Sequence, residues 1–473
     1  MARRSAVVIG SGPNGMAAAV ALAQAGLTVE VREAAPVLGG AARSGELTLP
    51  GFINDLGSAV HPMALSSPFF ASLPLEKFGL HWIFSPSQLA HPFDDGTAVT
   101  LEREIGDTAS QLGRDGAAYE RLYAPLVNNW PTLFKEVFRP LTVPRHPALL
   151  SRFGMRAVWP CTLLTKSVFR EQRARALVAG SAAHSALKME APLSAAFGLI
   201  LGAAGHAVGW PIPAGGSQSI SNALAGVLES LGGRVVTNAR VTTLDDSGNP
   251  DLTLCDVTPR QFLGLAGHRL RPSFRKLLER FKYGPGVFKV DWALREPIPW
   301  KAKECLRSIT VHLCGSLAEI AASERNAWNG RPPVKPFVLL AQPSLFDPSR
   351  APAGQHTAWA YCHVPNGWTG SALKQIEDQV ERFAPGFRDC VLSRAPHNTA
   401  DMESWDENLV GGDNNAGALT IDQFFFRPTW RRYGTPLRGV YFCSASTPPG
   451  GSVHGMCGYW AARRALRYLK KRG

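Results

Sequence analysis

No two cysteines in this sequence stand two residues apart. The eight present, Cys161, Cys255, Cys305, Cys314, Cys362, Cys390, Cys443 and Cys457, are scattered singly. Neither a zinc site of the usual spacing nor a dithiol redox pair is written here, and the thiols read as reduced and mostly buried. Repeats are missing too, and the 46 Gly and 36 Pro follow no period, which excludes collagen-like, low-complexity and solenoid chains. The first β-branched run starts at Ser5, directly after Met-Ala-Arg-Arg, which leaves no room for a signal peptide and predicts an unexported, cytoplasmic protein. Acids are in deficit, 37 Asp and Glu against 50 Lys and Arg, for a net charge of +13. Long apolar runs are scarce. Residues 193–210 (LSAAFGLILGAAGHAVGW), inside an uncharged stretch from 191 to 228, are near the roughly 18-residue minimum for a membrane span. Pro192 and Pro211 bracket them and His206 interrupts them. The expectation is a buried helix lining a pocket, its Gly and Ala leaving space for a bulky apolar ligand. What remains is an ordinary globular balance, 45% hydrophobic and 18% charged over 473 residues, long enough for two domains.

The N-terminus carries the strongest pattern. Residues 5–10 (SAVVIG) form a short run ending in glycine, followed by Gly10-Ser11-Gly12-Pro13-Asn14-Gly15, an Ala/Leu-rich segment at 16–25, Gly26, and an alternating segment at 28–33 (TVEVRE). Strand, glycine turn, helix and strand within about thirty residues make a dinucleotide-binding βαβ unit. Gly10 allows the turn, Gly12 the approach of a diphosphate, and Gly15 close packing of helix on strand, while the helix start offers unpaired N–H groups to the phosphates. Glu33, 23 positions after Gly10, stands where a carboxylate accepts the ribose hydroxyls. A second glycine pair, Gly39-Gly40, with Arg43 soon after, exceeds what a nicotinamide cofactor needs and suits the longer FAD. Only one such fingerprint is present, so nicotinamide cofactors are not expected as the principal electron partner.

Gly39-Gly40 with Arg43, then residues 51–57 (GFINDLG), resemble the flavin amine oxidase and phytoene desaturase superfamily. Near the C-terminus, residues 438–458 (RGVYFCSASTPPGGSVHGMCG) resemble the closing FAD motif of carotenoid desaturases. Residues 213–217 (PAGGS), 232–237 (GGRVVT) and Val241 resemble the segment that returns to the FAD domain. Over its whole length the chain is most similar to the group of the pyridine nucleotide-disulphide oxidoreductase domain-containing protein 2 and its bacterial relatives. The resemblance implies an α/β fold: a Rossmann-like FAD-binding domain of glutathione reductase/amine oxidase type, made of residues 1–65, 212–283 and 416–473. An interleaved α+β substrate domain is expected from 66–211 and 284–415. Implied FAD contacts are Gly10, Ser11, Gly12, Pro13, Asn14, Gly15, Glu33, Gly39, Gly40, Ala41, Arg43, Gly57, Ser58, Val241, Ser446, Gly450, Gly451, Gly455 and Met456. The N-terminus of the last helix, near Gly455, is expected to stabilise negative charge on reduced flavin. Ala445 stands where many related flavoenzymes place an acid, which points towards desaturases. The short stretch between Val241 and Asp256 leaves room for a reduced connection only. The implied reaction moves a hydride from a C–H of a lipophilic or bulky small molecule to flavin N5, with O₂ or a quinone as electron acceptor. A redox-neutral isomerase using reduced FAD, and a lipid- or prenyl-binding escort of the same fold, are the alternative readings.

No metal site and no nucleic-acid motif are present. Between residues 131 and 180 nine Lys or Arg face only Glu136 and Glu171, interleaved with Trp130, Phe134, Phe138, Phe153, Trp159 and Phe169. That window fits either peripheral contact with an anionic membrane or a solvated basic face over core aromatics. The catalytic base is not identifiable. His61 and His454 are candidates because both follow motifs that should approach the ring, and each also reads as a supporting hydrogen-bonding residue.

Overall fold

In a computed structural model of the chain, which describes residues 4–471, the main elements are two sheets, and the larger sheet and a helical wall line a large cavity. The first sheet is wholly parallel, in the order Val440–Phe442, Leu252–Cys255, Ser5–Ile9, Thr28–Arg32, Arg234–Val236. The runs SAVVI and LTLC are almost entirely buried, as helix cover on both faces requires. The alanine-rich helix Pro13–Gln24 is buried from Asn14 to Ala23. The last helix, Met456–Lys470, crosses it so closely that a Cβ at Gly458 would lie 1.7 Å from the Asn14 carbonyl oxygen. Between Val241 and the strand Leu252–Cys255 there is only one short turn of helix, Leu244–Ser247.

The second sheet runs Val391–His397, Gly286–Leu294, His356–Val364, Val338–Ala341, Ser308–Leu313, Ser87–Pro92, Ala98–Leu101. Its pairings are antiparallel except that between Ser87–Pro92 and Ser308–Leu313. Helices between Ile105 and Ala207 form the wall above it. The uncharged segment is the helix Ser194–Ala207, and Ala196, Phe197, Ile200 and Leu201 do line the cavity. Its glycines do not make room for a ligand, which corrects the sequence expectation. A Cβ at Gly198 would meet the Val178 carbonyl at 2.9 Å and one at Gly202 the Tyr123 ring at 2.5 Å. They serve helix packing. No helix among the described residues is long and apolar enough to cross a membrane.

The basic window forms the helices Trp130–Val137, Pro147–Ala157, Cys161–Val168 and Gln172–Ala183. Five of its six aromatics are buried and only Trp159 is exposed. All eight cysteines are free and buried. The expected domain ends at residues 1–3 and 472–473 lie outside the described residues.

Candidate functional site

The strand Ser5–Ile9 ends in the glycine turn, and the helix begins at Pro13 with Gly12 as its cap. A Cβ at Gly15 would come within 2.2 Å of the Gly10 carbonyl oxygen, so only glycine lets the helix sit this close to the strand end. Glu33 follows the strand Thr28–Arg32. Its Oε2 accepts the Ser11 N–H (2.9 Å) and hydroxyl (2.6 Å), and its Oε1 accepts the Ala35 N–H (2.8 Å). The Gly39 N–H donates to Ser11 Oγ (3.0 Å), which lays the second glycine pair on the first; a Cβ at Gly40 would be 3.1 Å from Gly12 Cα. The fingerprint, Glu33 and Gly39-Gly40 therefore form one cradle. Arg43 spends its donors on the Gly40 and Trp405 carbonyls, tying that loop down.

Asp256, just past the strand Leu252–Cys255, backs this cradle. Its Oδ2 accepts the Gly15 N–H (2.8 Å). Burial pushes its carboxyl up to about 7; the Gly15 bond opposes that, and the neighbouring Asp406 and Glu33 add to it. In the sequence it marks only the end of the short stretch after Val241. A lone acid ending an apolar strand was the signal available.

From the cradle the chain leads into a cavity of about 540 Å³. Ala41, Gly57 and Ser58 from the N-terminal segment and Pro449, Gly451 and Ser452 from the C-terminal one share its wall, although some 400 residues separate them. Ser446 sits beneath, its hydroxyl donating to the Ala416 carbonyl (2.8 Å). Cys457 Sγ donates to the Gly450 carbonyl (3.3 Å), and Gly455 caps the last helix at Met456. Val241 is buried in the core behind the sheet, with Ile9 and Phe442. Pro13 and Asn14 open the first helix; Asn14 Oδ1 is buried without a protein partner.

The floor of the cavity is the second sheet. Strand register sets two rows across it, Asp291–Trp359–Ala341–Thr310 and Lys289–Tyr361–Leu339–His312. Lys289 reaches the cavity wall, pairs with Asp291, and lies 5.4 Å from the Trp359 ring. Burial pushes the Lys289 ammonium down and the Asp291 carboxyl up to about 6, each opposed by the other's charge. Sequence reasoning missed Lys289, although a Lys and an Asp two apart in an apolar strand must share a face. Asp55, below the same wall, bonds Arg350 (2.7 Å) and accepts from Ser217 N–H and the Ser44 hydroxyl. Burial raises its pKa, and these partners outweigh that and hold it below the usual value. This pair ties the two sheets' territories together.

Neither candidate histidine lines the cavity. His61 Nε2 lies 2.8 Å from Ser217 Oγ. His454 Nδ1 accepts the Met456 N–H (3.0 Å), and its ring meets Phe138 edge-on. Burial pushes each down to about 4, so both are neutral at pH 7.

A parallel sheet whose first strand ends in a glycine turn, with an acid closing the second strand, is the architecture of a dinucleotide-binding βαβ unit. The NAD(P)-binding Rossmann-like domain family matches residues 8–71. Pyridine nucleotide-disulfide oxidoreductase domain-containing protein 2 of Mus musculus is 26% identical over 98% of this chain and 94% of its own. The phytoene dehydrogenase of Streptomyces griseus is 24% identical over 82% and 77%. Among solved structures, an oxidoreductase from Methanosarcina mazei superposes with a TM-score of 0.66 at 17% identity, covering 98% of this chain and 100% of that one. Putrescine oxidase bound to putrescine does so with 0.64 at 17%, covering 99% of both. The chain is thus similar over nearly its whole length to pyridine nucleotide-disulfide oxidoreductase domain-containing protein 2, and over most of it to a phytoene dehydrogenase.

Proposed function

We propose that this chain binds FAD non-covalently and oxidises an uncharged, apolar small molecule at a C–H bond. The carrying observation is the convergence of Ala41, Gly57, Ser58, Gly451 and Ser452 on one cavity, where Ala41 directly follows the Gly39-Gly40 pair that Ser11 and Gly12 tie to the Glu33 cradle. The residues fit the group: Ser58 Oγ is a buried polar atom without a protein partner, and Gly57 lets the two loops meet, since a Cβ there would lie 2.4 Å from the Ala41 carbonyl oxygen. Glu33 and Ser11 would hold the ribose, and the first helix's N-terminal N–H groups the diphosphate. Gly39, Gly40, Ala41, Arg43, Gly57 and Ser58 would line the path to the ring, with Val241 at the adenine end and Ser446, Gly450, Gly451, Gly455 and Met456 at the flavin end. When bound, FAD supplies a hydride acceptor. On this reading residues 1–65, 212–283 and 416–473 form the FAD lobe, and 66–211 with 284–415 the substrate lobe.

The remaining work falls to the protein's own side chains. Trp359, Tyr361, Phe197 and Ile200 exclude water from the substrate. Lys289 places a proton-bearing group at the wall, its charge balanced by Asp291. His61 and His454 brace loops rather than exchange protons with substrate. Among the described residues the only carboxylate in the cavity wall, Glu136, is tied to Arg139 (3.3 Å) and the Arg145 N–H (3.1 Å). No free acid awaits an ammonium, which favours a neutral substrate over an amine. The electrons would leave to O₂ or a quinone.

The apolar contents also suggest a lipid-facing mouth. Of eighteen exposed large apolar side chains among the described residues, six fall at 141–163 and five at 421–430. Leu141, Val158 and Phe424 of these line the cavity entrance, and Arg432 Nη1 joins the two segments through the Leu141 carbonyl (2.7 Å). A cytoplasmic protein resting this rim on an anionic membrane would draw substrate from it. The test of the reaction is anaerobic mixing with lipophilic candidates: loss of oxidised-flavin absorbance supports it. Bleaching by amines alone would transfer the chain to amine oxidation.

A further inference from the structure

At the far end of the floor from Lys289 stands a histidine pair. His184, on the cavity wall, has its Nε2 3.1 Å from His312 Nε2. The contact is short enough to require one shared proton, so one ring donates and the other accepts. His312 Nδ1 is buried and has no partner among the described residues. An orphaned buried N–H is rarer and costlier than a bare nitrogen lone pair. The proton of His312 therefore sits on Nε2 and is given to His184. His184 must then carry its own proton on Nδ1, and no protein group among the described residues accepts it. Burial pushes both rings well below their ordinary value, His184 to about 3, so neither supplies a positive charge.

Two neighbours on the same floor repeat the pattern. The Thr310 hydroxyl and the Trp359 indole N–H are buried without protein partners, and both residues line the cavity. Thr310 is two residues before His312 on one strand, hence on its face, and Thr310, Ala341 and Trp359 lie in one row. An indole N–H donates only.

We propose that His184, set by His312, is the specificity determinant for an uncharged oxygen at the inner end of the substrate, so that the ligand class is a long apolar molecule ending in a carbonyl or hydroxyl. That the ligand is a substrate oxidised by a flavin rests on the proposed function; its binding rests on the cavity alone. Three strand spacings separate the His312 and Lys289 positions, roughly 14 Å at about 4.8 Å per strand. The oxygen-bearing end would thus lie well away from the Lys289 end of the cavity.

The test uses the purified full chain with its bound flavin and displacement of a neutral fluorescent apolar dye by dodecane, dodecan-1-ol, dodecanal, dodecanoate and dodecylamine. Wild type should bind the alcohol and aldehyde about tenfold more tightly than the alkane, and the charged probes no better than it. His184→Phe should erase that preference, read as the ratio of alcohol or aldehyde affinity to dodecane affinity; His312→Phe, which frees the His184 tautomer, should weaken it. His184→Gln, which keeps a donor, should restore part of it. Flavin content and circular dichroism verify that each variant is folded. A preference that survives His184→Phe, or wild type without any preference, overturns the proposal. If the preference behaves as expected but no candidate bleaches the flavin, the hydride reading fails and the binding site stands.

Discussion

Glu33 accepts three hydrogen bonds within the protein and would exchange some of them for ribose hydroxyls. Glu33→Ala should weaken FAD binding by about 1–3 kcal/mol, read by equilibrium dialysis of flavin; an unchanged affinity would remove Glu33 from the site. Asp256 behaves differently because its folded carboxyl is pushed up to about 7 from an ordinary 3.8. The folded chain therefore holds that proton more tightly than the unfolded one. The associated stability is present below about pH 4 and is lost as pH rises to about 7. Asp256→Asn keeps an acceptor for the Gly15 N–H and removes the charge, so the variant should melt above wild type at pH 8, with the gap closing towards pH 4. A gap independent of pH would contradict the buried-charge account. At this scale the sequence was readable where a residue's role is local. Gly10, Gly15 and Glu33 declare themselves by spacing along one βαβ unit. Lys289 and Asp256 do not, since their surroundings come from segments distant in sequence. Arg43 was legible as a cation near the second glycine pair, but not that backbone carbonyls would claim its donors.

Two helices show what patterning does and does not reveal. The crossing of Pro13–Gln24 by Met456–Lys470 depends on Gly458, whose Cβ would overlap the Asn14 carbonyl oxygen at 1.7 Å. Gly458→Ala should force the helices apart, at a cost of about 1–3 kcal/mol, and loosen the turn that Asn14 opens. Thermal melting together with flavin retention on gel filtration measures both, and a wild-type melting point would show the crossing to be slack. The uncharged helix Ser194–Ala207 was legible as buried, because nothing in it wants water. Which face its glycines occupy was not, because an all-apolar helix has no polar stripe to orient it. The parallel sheet could be anticipated from its glycine-flanked strands. The seven-stranded sheet could not, since its neighbours come from segments as far apart as Ser87–Pro92 and Ser308–Leu313.

For the molecule as a whole, the basic window's aromatics mostly point inward, and other side chains make the apolar rim. The side chains of Lys135, Arg145, Arg152, Arg156, Lys166 and Arg170 are exposed and form no ion pair among the described residues. Each cation near an anionic surface contributes about 1 kcal/mol, so several facing one way suffice for reversible binding. Vesicle co-sedimentation should find the protein on anionic liposomes at low salt and not on neutral ones. Most of it should be released at 1 M salt, where the Debye length is about 3 Å. Failure to bind either kind would leave the rim a solvated face. Mixing with NADH or NADPH without oxygen should leave the flavin oxidised, because one glycine fingerprint serves one dinucleotide; rapid bleaching would overturn that assignment.

The central claim is that the Gly10–Gly15 turn, Glu33, Gly39-Gly40 and Gly450-Gly451 together hold FAD without a covalent bond. Acid precipitation of the purified protein, followed by chromatography of the supernatant, tests it directly. The account predicts stoichiometric FAD in the supernatant and none in the pellet. Flavin retained by the pellet, or a protein that takes up no FAD even when it is supplied, would contradict it.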